Sequence, residues 1–266
     1  MRWRSFLFVL LLLLLWNSAS AQVRTVTAEA VGLATAADQS VWGAGENPAH
    51  GITAGQFGVQ AYGQSLTEGV GLSRLALDVA YGASYGTLQL GIQHFQPPGY
   101  RATALHLGAS RQLAENLRAG IRLGMVASDL DDYGSTTEAL AMAGLSYRIV
   151  GKLTAGAHYT YIESPFAPLA EHALAVGVHY ASSERVHVLL SARQVVDQRL
   201  AGGFGLRFLA SERLQFSAGM RTGGLAYTFG LQARLLSGLQ VSLAAIAYQD
   251  LPLGFAYGAD YLSGQD

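Results

Sequence analysis

The chain has 266 residues, half of them hydrophobic, only 13% charged, and a formal net charge of −1. Soluble domains carry roughly 25% charged residues, so this composition is too apolar for an ordinary one, and its near-neutral balance gives no polybasic case for nucleic acid. With no cysteine, the chain is neither a disulfide scaffold nor a lipoprotein acylated at an N-terminal Cys, and it has no thiol redox chemistry.

Residues 1–21 read as a secretion signal. Arg2 and Arg4 form a positive start, Phe6 to Trp16 an unbroken apolar run, and Ala19-Ser20-Ala21 a small-residue cleavage site. The run falls short of the about 20 residues that a spanning helix needs. Removing it takes away two arginines and leaves a net charge of −3. Beyond it, every apolar stretch is interrupted by Gly, Gln, Arg or Pro before it reaches spanning length. An apolar chain without a spanning helix has one remaining way to cross a bilayer, a closed β-barrel.

Residues 22–50 form a small-residue segment that ends in Gly43-Ala-Gly-Glu-Asn-Pro-Ala-His-Gly51, a turn in which Asn47 caps its own backbone and Pro48 fixes φ. Period-two alternation then takes over. In 117–128, Leu117, Ala119, Ile121, Leu123, Met125 and Ala127 alternate with Arg118, Gly120, Arg122, Gly124, Val126 and Ser128. Similar patterns fill 199–209, 213–221 and 225–236. The whole chain reads as fourteen strands near 52–62, 73–83, 86–95, 100–113, 117–128, 137–149, 152–163, 171–181, 185–194, 199–209, 213–221, 225–235, 239–248 and 254–262, with all six prolines outside them. A soluble β-sandwich alternates too, but its outward face carries Lys, Glu and Thr, whereas the non-apolar face here is mainly Gly, Ala, Ser and Arg. The expected fold is all-β: an antiparallel transmembrane β-barrel of about fourteen strands over 51–266, with 22–50 as a hatch inside it or at its periplasmic mouth.

The connections alternate between longer, more polar loops and tight turns, the outer-membrane pattern of long outer loops and short periplasmic turns. An even strand count then leaves both termini periplasmic. Acids such as Asp129, Asp131, Asp132 and Glu163 fall on the assumed outer side, and Arg111, Arg118, Arg148, Lys152, Arg185 and Arg213 around the periplasmic ends. Glu29, Asp38 and Glu46, ahead of the first strand, are placed to dock on that basic rim.

The segment 30–51 resembles the N-terminal plug of the long-chain fatty-acid transporter (FadL) superfamily, which includes the PorV-type proteins of the type IX secretion system. The resemblance rests on Asp38, Trp42, Asn47, Pro48 and Ala49 in order, with Gly51 one place later than usual. It implies a fourteen-stranded outer-membrane barrel with an internal hatch. Two features depart from the family: brief outer loops, which put the fatty-acid substrate in doubt, and a C-terminus without the terminal aromatic of barrel assembly signals.

Arg74, Arg118, Arg122, Arg193, Arg207, His106 and His158 are expected to face the lumen, as is His187; an arginine on the lipid face near mid-membrane would cost roughly 2–4 kcal/mol. The arginines either pair with carboxylates and hatch carbonyls or attract an anionic headgroup or carboxylate. Tyr62, Tyr85, Tyr100, Tyr147 and Tyr180 are placed in an interfacial girdle. No catalytic triad, metal-ligand spacing or nucleotide motif is visible, so no catalytic residue, metal or cofactor is expected. The expected function is passive transport of a hydrophobic or amphipathic small molecule across the outer membrane, with outer-membrane lipid and a hydrophobic ligand as partners. The alternative is a non-transporting, PorV-like partner of a type IX secretion or surface-attachment system. A diffusion porin is a third reading, which a hatch would obstruct.

Overall fold

Among the described residues, fourteen antiparallel strands pair neighbour to neighbour in chain order, and the first closes onto the last. The structure is a computed structural model that describes residues 36–37, 47–65, 73–132, 134–163, 171–196, 198–249 and 253–264. The strands are β1 (Phe57–Ser65), β2 (Ser73–Ala83), β3 (Gly86–Gln96), β4 (Tyr100–Ala114), β5 (Leu117–Leu130), β6 (Gly134–Val150), β7 (Leu153–Ile162), β8 (Glu171–Ala181), β9 (Val186–Val195), β10 (Ala201–Ser211), β11 (Leu214–Arg221), β12 (Ala226–Leu236), β13 (Leu239–Tyr248) and β14 (Gly254–Leu262). Direction reverses at each hairpin, so first and last strands meet antiparallel only when their number is even. Closure leaves no sheet edge with unpaired backbone groups.

The period-two pattern becomes an inside and an outside. On β5, Ile121, Leu123 and Met125 are exposed, while Arg122, Val126 and Ser128 are buried. Phe204, Leu206 and Phe208 on β10, and Tyr227, Phe229 and Leu231 on β12, continue the apolar exterior. Soluble monomers rarely expose more than a few hundred Å² of contiguous apolar surface; this wall is apolar around its circumference, as hydrocarbon contact demands.

One end of the barrel carries the tight turns and the start of β1, and is called here the turn end; the other is the loop end. Four turn-end hairpins share a device the alternation does not reveal. A register shift falls just before the turn in β4–β5, β6–β7, β10–β11 and β12–β13. Such bulges add twist where a two-residue turn must reverse the chain.

Three expectations change. The first strand was expected over 52–62 but starts at Phe57. Ile52 is buried against Ala80 and Leu262, and its backbone N–H and C=O are both taken by the Thr87 hydroxyl at 3.0 Å, so Ile52 lies inside the wall and 53–56 turns past Gly82 at the turn end before β1 begins. Tyr62 leaves the girdle for the interior, packing on Ala76, Ala244 and Ala256 and donating to Gln64 Oε1 at 3.0 Å. Tyr100 also turns inward, against Ala102, Ala104 and Val126, with its hydroxyl 3.1 Å from Ser128 Oγ. Tyr85, Tyr147 and Tyr180 are exposed on the outer wall.

Leu123→Arg should lower the free energy of folding into a bilayer by about 2–4 kcal/mol in denaturant titrations with vesicles. A loss below about 1 kcal/mol would show that position 123 does not meet hydrocarbon.

Candidate functional site

The interior is built from the turn end upward. Asn47 and Pro48 open a turn closed by His50 N–H donating to Asn47 O at 3.1 Å. The Asn47 side chain folds back, its Oδ1 accepting from Ala49 N–H at 3.0 Å. Its Nδ2 donates to Ala36 O at 2.8 Å and to Leu145 O at 3.0 Å, with Ala157 O 3.4 Å away. One carboxamide thus ties the turn to itself, to residue 36 and to the β6–β7 wall, an Asx-Pro arrangement with every polar atom satisfied.

The wall is shaped to receive it. A Cβ on Gly120 would lie 1.9 Å from Pro48 O, one on Gly144 2.0 Å from Asn47 Oδ1, and one on Gly156 1.9 Å from Ala36 O. Gly120 pairs across strands with Gly144, and Gly156 with Gly177. These glycines form a seat on β5–β8 in which the segment's backbone lies against the strands themselves. The chain then follows the wall toward β1: Gln89 Nε2 donates to His50 O at 3.1 Å, Arg118 Nη1 to Gly51 O at 3.4 Å, and Gly55 N–H to Gly82 O at 2.7 Å.

Above the seat lies a polar layer. His106 is almost fully buried, with Nε2 3.1 Å from Asp78 Oδ1. The two side chains meet across Gly91, where a Cβ would sit 2.1 Å from that carboxylate oxygen. Arg122 approaches Gln89 Oε1 at 3.5 Å and Met142 Sδ at 4.0 Å. His158 lies within electrostatic range of Arg122, Arg193 and His50. Nearer the turn end, His179 Nε2 and His187 Nδ1 are 2.9 Å apart with stacked rings, and His187 pairs across strands with buried Arg207.

Toward the loop end large apolar side chains join buried polar ones such as Gln64, Arg74, Gln93 and Ser128. Val126, Leu140, Met142 and Ile162 are buried on β5–β7, joined by Ala102, Ala104 and Ala173 nearby and by Ala244, Ile246 and Ala256 opposite. The inner face is mainly small or polar, as expected, with Val126, Leu140, Met142, Ile162, Leu189 and Ile246 as large apolar exceptions. Two loop-end arginines lie over rings, Arg74 5.3 Å from Phe95 and Arg221 5.8 Å from Tyr248.

Of the residues singled out in the sequence, Asn47, Pro48 and Ala49 lie in the seat, Gly51 follows against Thr87 and Ser110 with Arg118 on its carbonyl, and Arg122, His158 and Arg193 gather just above. His106 joins Asp78; Arg74 and Arg207 stand apart at opposite ends. Asp38 and Trp42 lie outside the described residues, as do the acids Glu29 and Glu46 assigned to the basic rim. Asp78, Thr87, Gln89 and the seat glycines were missed, although Gly120 and Gly144 sit on inner-face positions where a lumen needs no glycine. Among the described residues no group of three metal-ligating side chains gathers.

This defines a class: a closed fourteen-strand barrel of membrane type with a chain segment seated in its turn end. No protein-family model matches the chain, and no curated protein aligns with it significantly. Solved structures do resemble it. The toluene transporter TbuX of Ralstonia pickettii superposes with a TM-score of 0.67 at 12% identity, over 91% of this chain and 97% of that one. The toluene transporter TodX of Pseudomonas putida gives 0.62 at 11%, over 91% and 99%. The outer membrane protein Omp33 of Acinetobacter baumannii gives 0.54 at 10%, over 77% and 97%. At such identities the likeness establishes a shared fold. None of these three is described as a secretion component.

Asn47→Asp keeps the acceptor for Ala49 but sets a carboxylate against the Ala36 and Leu145 carbonyls. Unmade buried hydrogen bonds cost about 1–3 kcal/mol, so exchange of the Ala49 amide should quicken roughly tenfold or more. Unchanged exchange would contradict the anchoring role.

Proposed function

We propose that the protein is an outer-membrane channel through which a hydrophobic or amphipathic small molecule passes without energy coupling. In this reading the turn end and both termini face the periplasm, and 22–50 is the hatch that rearranges as cargo passes. Residues 22–50 would fill the turn-end mouth, held by Asn47 on the glycine seat.

The observation that carries the reading is the mixed interior beyond the seat. Toward the loop end Val126, Leu140, Ile162 and Ile246 place large apolar side chains among polar ones such as Gln64, Arg74, Gln93 and Ser128, an inner face that is amphipathic. Burying apolar surface favours cargo by about 25 cal/mol per Å². A segment seated in the turn end would obstruct a water-filled diffusion pore, which separates this reading from a general porin. Two of the structures sharing the fold are named as toluene transporters, and a small aromatic hydrocarbon is the natural first probe. The arginines next to the seat act in this scheme as partners of hatch carbonyls, as Arg118 does for Gly51 O.

Uptake of toluene by cells carrying the protein tests this. Wild-type protein should speed uptake well above empty cells while showing little ion conductance in planar bilayers. Replacing Leu140 and Met142 together by Gln should cut uptake several-fold without altering heat-modifiable folding. Porin-like conductance, with uptake indifferent to the double substitution, would overturn the proposal.

A further inference from the structure

The outer wall is not uniformly smooth. Two hollows of about 730 and 610 Å³ adjoin on its outer face between β3 and β9, sharing Leu145 and Ala157. Their floor is alanine. Ala119 pairs across strands with Arg111, Ala143 with Tyr159, and Ala157 with Val176. Around β10–β12 the outer face instead carries the large rings of Phe204, Phe208, Phe216 and Phe229.

Arg111 lines the first hollow at its turn end, beside the exposed ring of Tyr85. The guanidinium is exposed and has neither an ion pair nor a hydrogen bond among the described residues. A cation and a tyrosine at one end of an apolar trench in a bilayer-facing wall match the two halves of a lipid. Phosphate takes a bidentate bond from a guanidinium, tyrosine favours headgroup depth, and acyl chains fill hollows that side chains leave.

We propose that this trench binds one diacyl phospholipid, its tails in the two hollows and its phosphate on Arg111. The inference rests on the reading above in one respect, that the turn end lies in the phospholipid leaflet of the outer membrane. The lipid then packs the wall directly behind the seat, since Ala119, Ala143 and Ala157 adjoin Gly120, Gly144 and Gly156.

Native mass spectrometry of the full chain, folded and purified with phosphatidylglycerol and, in a parallel sample, with an equimolar mixture of phosphatidylglycerol and lipopolysaccharide, tests it. Wild-type protein should retain one lipid. Ala143→Leu with Ala157→Leu fills the trench with residues the bilayer accepts, and should reduce retention at least fivefold. Arg111→Gln should reduce it about threefold, with heat-modifiable migration unchanged in both variants. Equal retention in all three proteins would overturn the proposal by showing annular lipid only. Preferential retention of lipopolysaccharide would overturn it by assigning the trench to the other leaflet, and a wild-type dimer abolished by the leucines would overturn it by assigning the trench to a second copy. Failure of the wild-type chain to form a heat-modifiable barrel would instead sink the membrane reading itself.

Discussion

Inside hydrocarbon, a backbone N–H or C=O without a partner costs several kcal/mol, and a strand cannot satisfy its own. The pairing of β1 with β14 is therefore the contact on which everything else depends. Once the ring is closed, each strand has one face toward lipid and one toward the lumen, and the sequence must alternate. Prolines are expelled to the connections because every strand residue has a neighbour on both sides. Charge retreats to the interior and the rims, which accounts for a chain with only 13% charged residues.

The interior changes along the axis. At the turn end, backbone of residues 36–37 and 47–56 lies against backbone of the wall; in the middle, buried polar groups meet; toward the loop end, large apolar side chains such as Val126, Leu140 and Ile162 stand among polar ones such as Gln64, Arg74 and Gln93. The same short stretches shape both surfaces at the seat. In Ala119-Gly120, Ala143-Gly144 and Ala155-Gly156-Ala157, alanine faces out and glycine faces in. Side-chain volume is missing from both sides at once. The wall is thinnest where the segment presses on it, which joins the seat inside to the trench outside.

Much of this could be read from the sequence because period two is a direct consequence of the fold. β2 begins and ends at Ser73 and Ala83 as the alternation indicates, and the outer band of β5 is spelled by Ile121, Leu123 and Met125. Local chemistry also announced the turn at Asn47-Pro48. What the pattern could not show was register. The meeting of Asp78 with His106 across Gly91 depends on which residues of three strands stand side by side, and no one-dimensional period specifies that. Ile52 reads as the first residue of a strand because it is apolar and precedes alternation, yet its partner is a threonine hydroxyl inside the barrel. Tyr62 and Tyr100 sit where girdle tyrosines would, near strand ends, but their parity turns them inward.

The closure itself is open to direct test because the chain has no cysteine of its own. Ala61 on β1 and Ala259 on β14 stand opposite each other on the outer face. Antiparallel partners have Cα atoms about 4.5–5.5 Å apart, within the span of a disulfide. Ala61→Cys with Ala259→Cys, oxidised in the folded protein, should give a circularised chain whose altered migration persists on boiling and reverts on reduction. If that pair stays open while the neighbouring pair Ala61→Cys with Leu77→Cys closes readily, the first and last strands do not meet and the barrel account is wrong.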